Sequence, residues 1–275
     1  MNRIPCSVPI LTFNRKPQLE RLLPVVADAF EDVFLTDGGS TDGTIAYARS
    51  LGIRVEPQSA DYAPRGPIEH FARAREHSWS LARFDWIYWI DSDEIPTPEL
   101  IRKVRSVIEE DDPNAVHRFI RMAALPDGRI VKHAFFYPEY IPRLFHRTSG
   151  VRLADRPVHE KFVLPEGMRV ADHPETFVAP WDEPRVLWER QSRYLAMDKG
   201  QTVPTWKYLL RWIILYNVRS LCGQCVRALR STATGWLKRE TSLPWRCNWL
   251  FFKYRLLRIS EGIRAWRRGR KIYSA

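Results

Sequence analysis

Cysteine is scarce in this chain. Four in 275 residues, at Cys6, Cys222, Cys225 and Cys247, are too few for a disulfide framework. The Cys222-x-x-Cys225 spacing is that of a metal or redox pair. Its surroundings read as helix and no second pair answers it, so ordinary thiols in a reducing compartment are expected. Long apolar runs are also missing: no stretch approaches the roughly 18 charge-free apolar residues of a conventional membrane span. Met1 to Pro5 lead straight into an apolar strand, without the basic and hydrophobic regions of a secretion signal.

Acid is lacking where base is plentiful. Residues 185–275 hold 20 Lys+Arg against 4 Asp+Glu, a net +16, which leaves the first 184 residues at −5 within the total of +11. Six of the eleven tryptophans fall between Trp206 and Trp266. The chain therefore reads as an acidic body with a basic, aromatic tail. A 45% hydrophobic content suits a folded body of one large domain, or a domain with an appendage.

The body alternates strand and helix. Ser7–Thr12 is a first strand, although Pro9 argues against a simple central ladder position. A helix with Leu19, Leu22 and Leu23 on one face follows, then a strand at 33–36, a helix to about Ser50, and a short strand at 53–55. A helix over 68–82 leads to Trp86-Ile87-Tyr88-Trp89-Ile90, whose unbroken apolarity predicts a strand buried on both faces. Pro98, with Glu99 in the first turn, starts a helix to Glu110. Residues 115–145 read as strands joined by a hairpin, 150–180 as loop and short strand, and a further helix carries Leu187, Gln191, Tyr194 and Leu195. Such alternation is the pattern of a parallel sheet with crossover helices.

Chemistry concentrates where strands end. Asp91-Ser92-Asp93-Glu94 stands at the exit of the buried strand, where open α/β sheets place their ligands. Carboxylates at i and i+2 there can hold a hard divalent cation, which in turn neutralises phosphate. The run from Asp37 to Thr44 (DGGSTDGT) is glycine-rich but has neither the GxxxxGK[ST] nor the GxGxxG pattern. Its glycines are expected to permit a tight turn, and Asp42 to cap the next helix. The tail offers three helical candidates, 205–219, 221–238 and 245–262, the first and last with Trp, Leu and Phe interleaved with Lys and Arg. Such segments can lie in a bilayer interface, rings at headgroup depth and cations near anionic phosphates. Trp206, Arg211, Trp212, Trp245, Trp249, Phe252, Lys253 and Arg255 are the expected membrane contacts.

Taken in order, residues 7–15, 36–44 and 91–94 resemble the signatures of family 2 glycosyltransferases, and within them the lipopolysaccharide-core β-glucosyltransferase type. That type similarly has a Trp-rich strand before its acidic motif, a later Val158-His159-Glu160, and an aromatic, basic C-terminus. The resemblance implies a GT-A fold: α/β, with a mixed, mostly parallel sheet and flanking helices, here followed by a basic amphipathic helical region. It implies a catalytic domain over 1–184, its nucleotide-sugar half about 1–95 and its acceptor half about 96–184, with 185–275 as a membrane-association region. It also implies a UDP-sugar donor, Mn²⁺ or Mg²⁺, inversion at the anomeric carbon, and a lipopolysaccharide-core or other lipid-linked acceptor at the cytoplasmic face of the inner membrane. Matched to these positions, Thr12, Asn14 and Asp37 line the uracil and ribose pocket. Arg73 or Arg75 lies near the phosphates. Asp91 faces the ribose or sugar, and Asp93 ligates the metal, with Asp91 and His159 as further ligands. Glu160 is the expected base, Asp155 and Glu94 its rivals, and His159 completes the metal shell or orients the acceptor.

Other readings fit part of this pattern. A metal-dependent nucleotidyltransferase would use the same acids with a nucleoside triphosphate. A non-catalytic membrane- or nucleic-acid-binding protein would use the tail alone, although the apolar residues between its cations favour lipid over nucleic acid. A homo-oligomer through the tail also remains open.

Overall fold

The computed structural model describes residues 2–58, 70–154, 161–197 and 205–273. The chain forms two compact units, Met1–Met122 with Glu139–Ala179, and Ala123–Pro138 with Pro180–Ala275.

In the first unit, β1 (Ile4–Thr12), β2 (Phe30–Asp37), β3 (Arg54–Pro57) and β4 (Trp86–Tyr88) run parallel in the order β3-β2-β1-β4. The helices α1 (Lys16–Ala29), α2 (Thr44–Ser50) and α3 (Phe71–Ser80) supply the crossovers that parallel pairing requires. The sheet then changes sense. After β5 (Ile95–Pro96) and α4 (Pro98–Glu110), β6 (Ala115–Ala124) and β7 (Tyr140–His146) pair antiparallel, and β7 also runs antiparallel to β4. A small antiparallel pair, β8 (Arg152–Leu153) and β9 (Phe162–Val163), stands outside the main sheet. β10 (Arg169–Pro180) completes the order β3-β2-β1-β4-β7-β6-β10-β5. The sheet is therefore mixed, as expected: β3-β2-β1-β4 run parallel, and β7 is antiparallel to both of its neighbours.

Two expectations need correction. Residues 150–180 contain the twelve-residue strand β10. Only Phe177 in it is fully buried, and its polar, proline-containing sequence lacks an apolar alternation to reveal it. The strand expected over 86–90 forms ladder pairs only to Tyr88, while Trp89 continues as a single bond from its N–H to the Arg143 carbonyl (3.0 Å). Its unbroken apolarity has a direct cause. Trp86, Tyr88 and Ile90 enter the core cluster with α1 and α4, whereas Ile87 and Trp89 enter a second cluster with Trp79, Phe145 and Leu153. Successive side chains point to opposite faces, and both faces are covered. Pro9 sits in β1 with β2 on one side, and the ladder to β4 on the other side is confined to Ser7↔Ile87. The start of α4 is sharply set: Thr97 Oγ1 accepts from Leu100 N–H (3.2 Å), with Pro98 following.

A partly buried polar pair links β6 to β10. His117 Nδ1 and His173 Nε2 are 2.9 Å apart with their rings stacked, and His117 Nε2 is buried without a partner among the described residues. Burial, then the neighbouring His173, lowers the His117 pKa to about 4. Burial lowers His173 as well.

The second unit contains α5 (Pro184–Met197), α6 (Trp206–Tyr208), a π-helical segment (Leu209–Leu215), α7 (Tyr216–Lys238) and α8 (Trp245–Tyr273). The first two tail helices expected from sequence are thus one continuous helical run. A Cβ at Gly262 of α8 would collide with Ile213 of the π segment, so glycine permits their close approach. Its core joins Leu125, Val131 and Phe135 to Ala228, Leu243, Cys247 and Phe252, and Phe136 stacks on Trp181 at 5.5 Å. All four cysteines are free.

Among the expected membrane contacts, Trp206, Trp212, Trp245 and Trp249 are exposed, and Arg211 lies beside the Trp212 ring. Phe252 is a correction: it is buried in this core. Lys253 caps the Trp188 ring at 3.8 Å, and Arg255 donates to Asn217 Oδ1 at 3.3 Å. No helix among the described residues is long and apolar enough to cross a membrane.

Candidate active site

The ends of β1, β2 and β3 are aligned, with Thr12 paired to Asp37 and Asp37 to Pro57. Counting four residues on from the Ser7↔Ile87 register brings Leu11 and Asp91 to neighbouring strand exits. The candidate nucleotide and acidic residues therefore share one edge of the parallel half-sheet, where ligands bind in open α/β folds.

The loop after β2 is built by its own carboxylates. Asp37 Oδ1 accepts from Gly39 N–H (2.8 Å) and Ser40 N–H (2.7 Å), and Oδ2 from Ser40 Oγ (2.6 Å). An ionised carboxylate has about four acceptor positions, so Asp37 keeps roughly one for a ligand. Asn14, at φ 52°, donates its N–H to Ser40 Oγ and accepts from Thr41 N–H through Oδ1, both at 2.8 Å. Asp42 receives Lys16 N–H (3.1 Å) and Thr44 N–H (2.9 Å), and so caps the starts of both α1 and α2. Thr12 Oγ1 is buried with no partner among the described residues. Asp37→Ala is expected to cost about 2 kcal/mol of stability, whereas Asp37→Asn, which keeps an acceptor for the two N–H groups, costs less than about 1 kcal/mol. Urea unfolding of the two variants checks this ordering.

At the β4 exit, Asp91 Oδ1 accepts from Arg75 Nη2 at 2.8 Å, and Oδ2 lies 3.6 Å from Arg143 Nη2. Burial acts to raise the Asp91 pKa, but Arg75 and then Arg143 outweigh it and hold the group at about 2. The carboxylate side chain is 36% exposed, so one side remains open. Arg73 is on the exposed face of α3, its N–H bonded to His70 Nδ1 (3.4 Å), and Arg75 is the arginine beside the acid. Glu94 sits behind. It is 2% exposed, accepts from Arg143 at 2.5 Å, and takes the Asp91 N–H on its other oxygen at 3.1 Å. Burial pushes the Glu94 pKa up to about 7, against the pull of Arg143 and with help from Asp91 and Asp93.

Sequence reasoning missed Arg143 and Trp89. Arg143, 2% exposed on β7, places its guanidinium over the Trp89 ring at 3.9 Å, and Arg75 lies over the same ring at 4.3 Å. Its Nε and Nη1 are buried without partners among the described residues. The available signal was a lone arginine within the apolar stretch Ile141–Phe145, facing a strand that ends in acids. Asp155, His159 and Glu160 lie outside the described residues.

The donor chemistry at Asp91 and Asp93 fits a cation shared with a ligand. Mg²⁺-type sites commonly use one or two carboxylates plus substrate phosphates. Among the described residues no three His, Cys, Asp or Glu side chains converge to cage a metal by themselves.

Known proteins share parts of this chain. An uncharacterized glycosyltransferase of Rickettsia bellii is 29% identical over 100 residues, covering 36% of this chain and 30% of that protein. A TPR repeat-containing protein of Synechococcus elongatus is 28% identical over 142 residues, 52% of this chain and 31% of that one. The chain thus spans about a third of the length of these curated relatives. Among solved structures, S. aureus TarS 1-349 in complex with UDP-GlcNAc aligns at 16% identity with a TM-score of 0.44, covering 78% of this chain and 72% of that one. The Glycosyl transferase family 2 model matches residues 7–160, more than half of the sequence, and the chain belongs to that family.

Proposed function

We propose that this protein is an inverting hexosyltransferase. In this reading it moves a sugar, glucose or a related hexose, from a UDP-sugar to a lipid-linked acceptor such as the lipopolysaccharide core. The observation that carries the reading is Asp91, kept ionised by Arg75 at a strand exit beside Asp93, on the same edge as Thr12 and Asp37. Family membership supplies the reaction class.

The Thr12 hydroxyl and the spare acceptor position on Asp37 would contact base and ribose, with Asn14 fixing the loop between them. Asp91 would accept hydroxyl hydrogens from the ribose or donor sugar, and Arg75 would face the diphosphate. A divalent cation, Mn²⁺ or Mg²⁺, held by Asp93 with Asp91 and His159 as further ligands, would neutralise charge developing on the departing nucleoside diphosphate. The attacking acceptor hydroxyl would lose its proton to a carboxylate, assigned on sequence to Glu160 with Asp155 and Glu94 as rivals, of which Glu94 is buried against Arg143. The basic C-terminal helices would hold the enzyme peripherally at the cytoplasmic face of the inner membrane, next to its amphiphilic acceptor.

A panel of UDP-, GDP- and ADP-sugars, assayed by nucleoside diphosphate release with lipid extract as acceptor, tests the proposal. One UDP-sugar should be preferred, with turnover abolished by chelation and reduced about a hundredfold or more in Asp93→Asn. Folded protein with neither donor binding nor turnover on any donor would sink it.

A further inference from the structure

The most exposed large apolar side chains among the described residues all lie on α7: Trp236 (80%), Leu237 (73%), Val226 (65%) and Leu229 (62%). The buried positions of the same helix are Asn217, Gln224, Ala228 and Gly235. Its amphipathicity is inverted relative to a water-facing helix, which would bury the leucines and expose the amides. Val226, Leu229, Ala233, Trp236 and Leu237 fall at helical spacing on one side.

The charge on this face has one sign. From Thr205 to Arg239 there is no aspartate or glutamate, while Arg219, Arg227, Arg230 and Lys238 all lie on α7. No carboxylate among the described residues pairs with Arg219, Arg227 or Arg230. A groove of about 560 Å³ is lined by Tyr216, Arg219, Ser220, Gly223 and Arg227, and it holds two guanidiniums, a hydroxyl and a phenol. Arg227 is fixed there by donating Nε to the Phe135 carbonyl at 3.1 Å.

We infer that this face of α7 docks on an anionic phospholipid surface. Arg219 and Arg227 receive a headgroup phosphate in the groove, and Val226, Leu229, Trp236 and Leu237 enter the headgroup–acyl boundary. The inference rests on the membrane part of the proposed function and names the surface responsible. A second copy of the chain fits less well. In a two-fold pair the same patch meets itself, so these arginines would face arginines with no carboxylate between them. Nucleic acid would satisfy the cations but leave Trp236 and Leu237 in water.

Flotation of the full chain with phosphatidylcholine vesicles, with and without phosphatidylglycerol, tests this. The parent should float with the anionic vesicles and much less with the neutral ones. Leu229→Glu/Leu237→Glu should lower the bound fraction about tenfold. Arg219→Gln/Arg230→Gln should remove the preference for phosphatidylglycerol, at roughly tenfold. Trp245→Ala/Trp249→Ala on α8 should change binding less than about twofold. All six positions are exposed, and unchanged thermal midpoints establish that the variants fold. If the parent floats with neither vesicle, membrane association itself fails. Flotation that survives both α7 pairs but is lost in the α8 pair refutes only the choice of face. A dimer that Leu229→Glu/Leu237→Glu converts to monomer, with flotation intact, gives the face to a second copy and overturns the inference.

Discussion

Arg143→Met, compared with the parent at about pH 8.5 where Glu94 with its pKa of about 7 is ionised, should destabilise the protein by about 3 kcal/mol. That is the penalty for leaving one charge of a buried pair without its partner. The stranded charge would be Glu94, which is 2% exposed and whose ion-pair partner among the described residues is Arg143. Methionine keeps most of the side-chain volume over Trp89 and Phe177, so the loss reports charge more than packing. Adding Glu94→Gln should recover most of that loss, because a neutral amide costs less to bury than an unpaired carboxylate. Urea unfolding of the two single variants and the double variant measures the coupling. Additive losses would mean that the pair is not a unit. Catalysis should not recover with stability, since Asp91 also loses a flanking guanidinium.

The second large effect is acid sensitivity at His117. Its pKa is about 4 in the folded protein, against about 6.5 in an unfolded chain. The unfolded state therefore takes up the proton first as pH falls. The contribution to stability is complete above about pH 6.5, declines from there, and is gone below about pH 4, a loss of about 3 kcal/mol. Glu94 acts in the opposite sense over an overlapping window. Its raised pKa favours the folded state below about pH 4.5, and that contribution fades as pH rises towards 7. The histidine effect is therefore read as a difference. His117→Asn should unfold with a midpoint that depends less on pH than the parent between pH 6.5 and 4. Parallel pH profiles for the two proteins would show that His117 does not titrate differently on folding.

Much of the parallel half-sheet was legible because each strand ends in a chemical signal. Thr12-Phe13-Asn14, Asp37-Gly38-Gly39 and Asp91-Ser92-Asp93 all mark strand exits, and α4 begins at Pro98 with its threonine cap. The other half of the sheet carried weaker signals. β10 buries mainly Phe177, and its register depends on polar contacts such as His117 with His173 and Arg118 with Asp172 (2.6 Å), which no local pattern announces. Arg143 was invisible for a related reason: its acidic partner Glu94 lies 49 residues earlier in the sequence, beyond the end of β4. Asp37 was legible but its role was incomplete. An aspartate before Gly-Gly-Ser is itself a turn signal, and its oxygens are mostly engaged by that turn. On α7 a helical period cannot by itself say which face points outward. The inward side is closed by Gly235, where a Cβ would strike Ser242 and crowd the Glu240 carbonyl at 3.0 Å.

The second unit is stitched from two stretches of chain, and this limits how it can be cut. Lys132 N–H binds the Thr241 carbonyl and Leu243 N–H the His133 carbonyl, each at 2.8 Å, while Val131 and Phe135 are buried beside Leu243 and Phe252. Deleting everything after Ala179 would not release a tidy catalytic fragment. It would leave residues 123–138 as a bare apolar loop with open backbone groups, a ready seed for aggregation. The tail is accordingly a component without modular freedom: a graft, fusion or exchange must carry both stretches together.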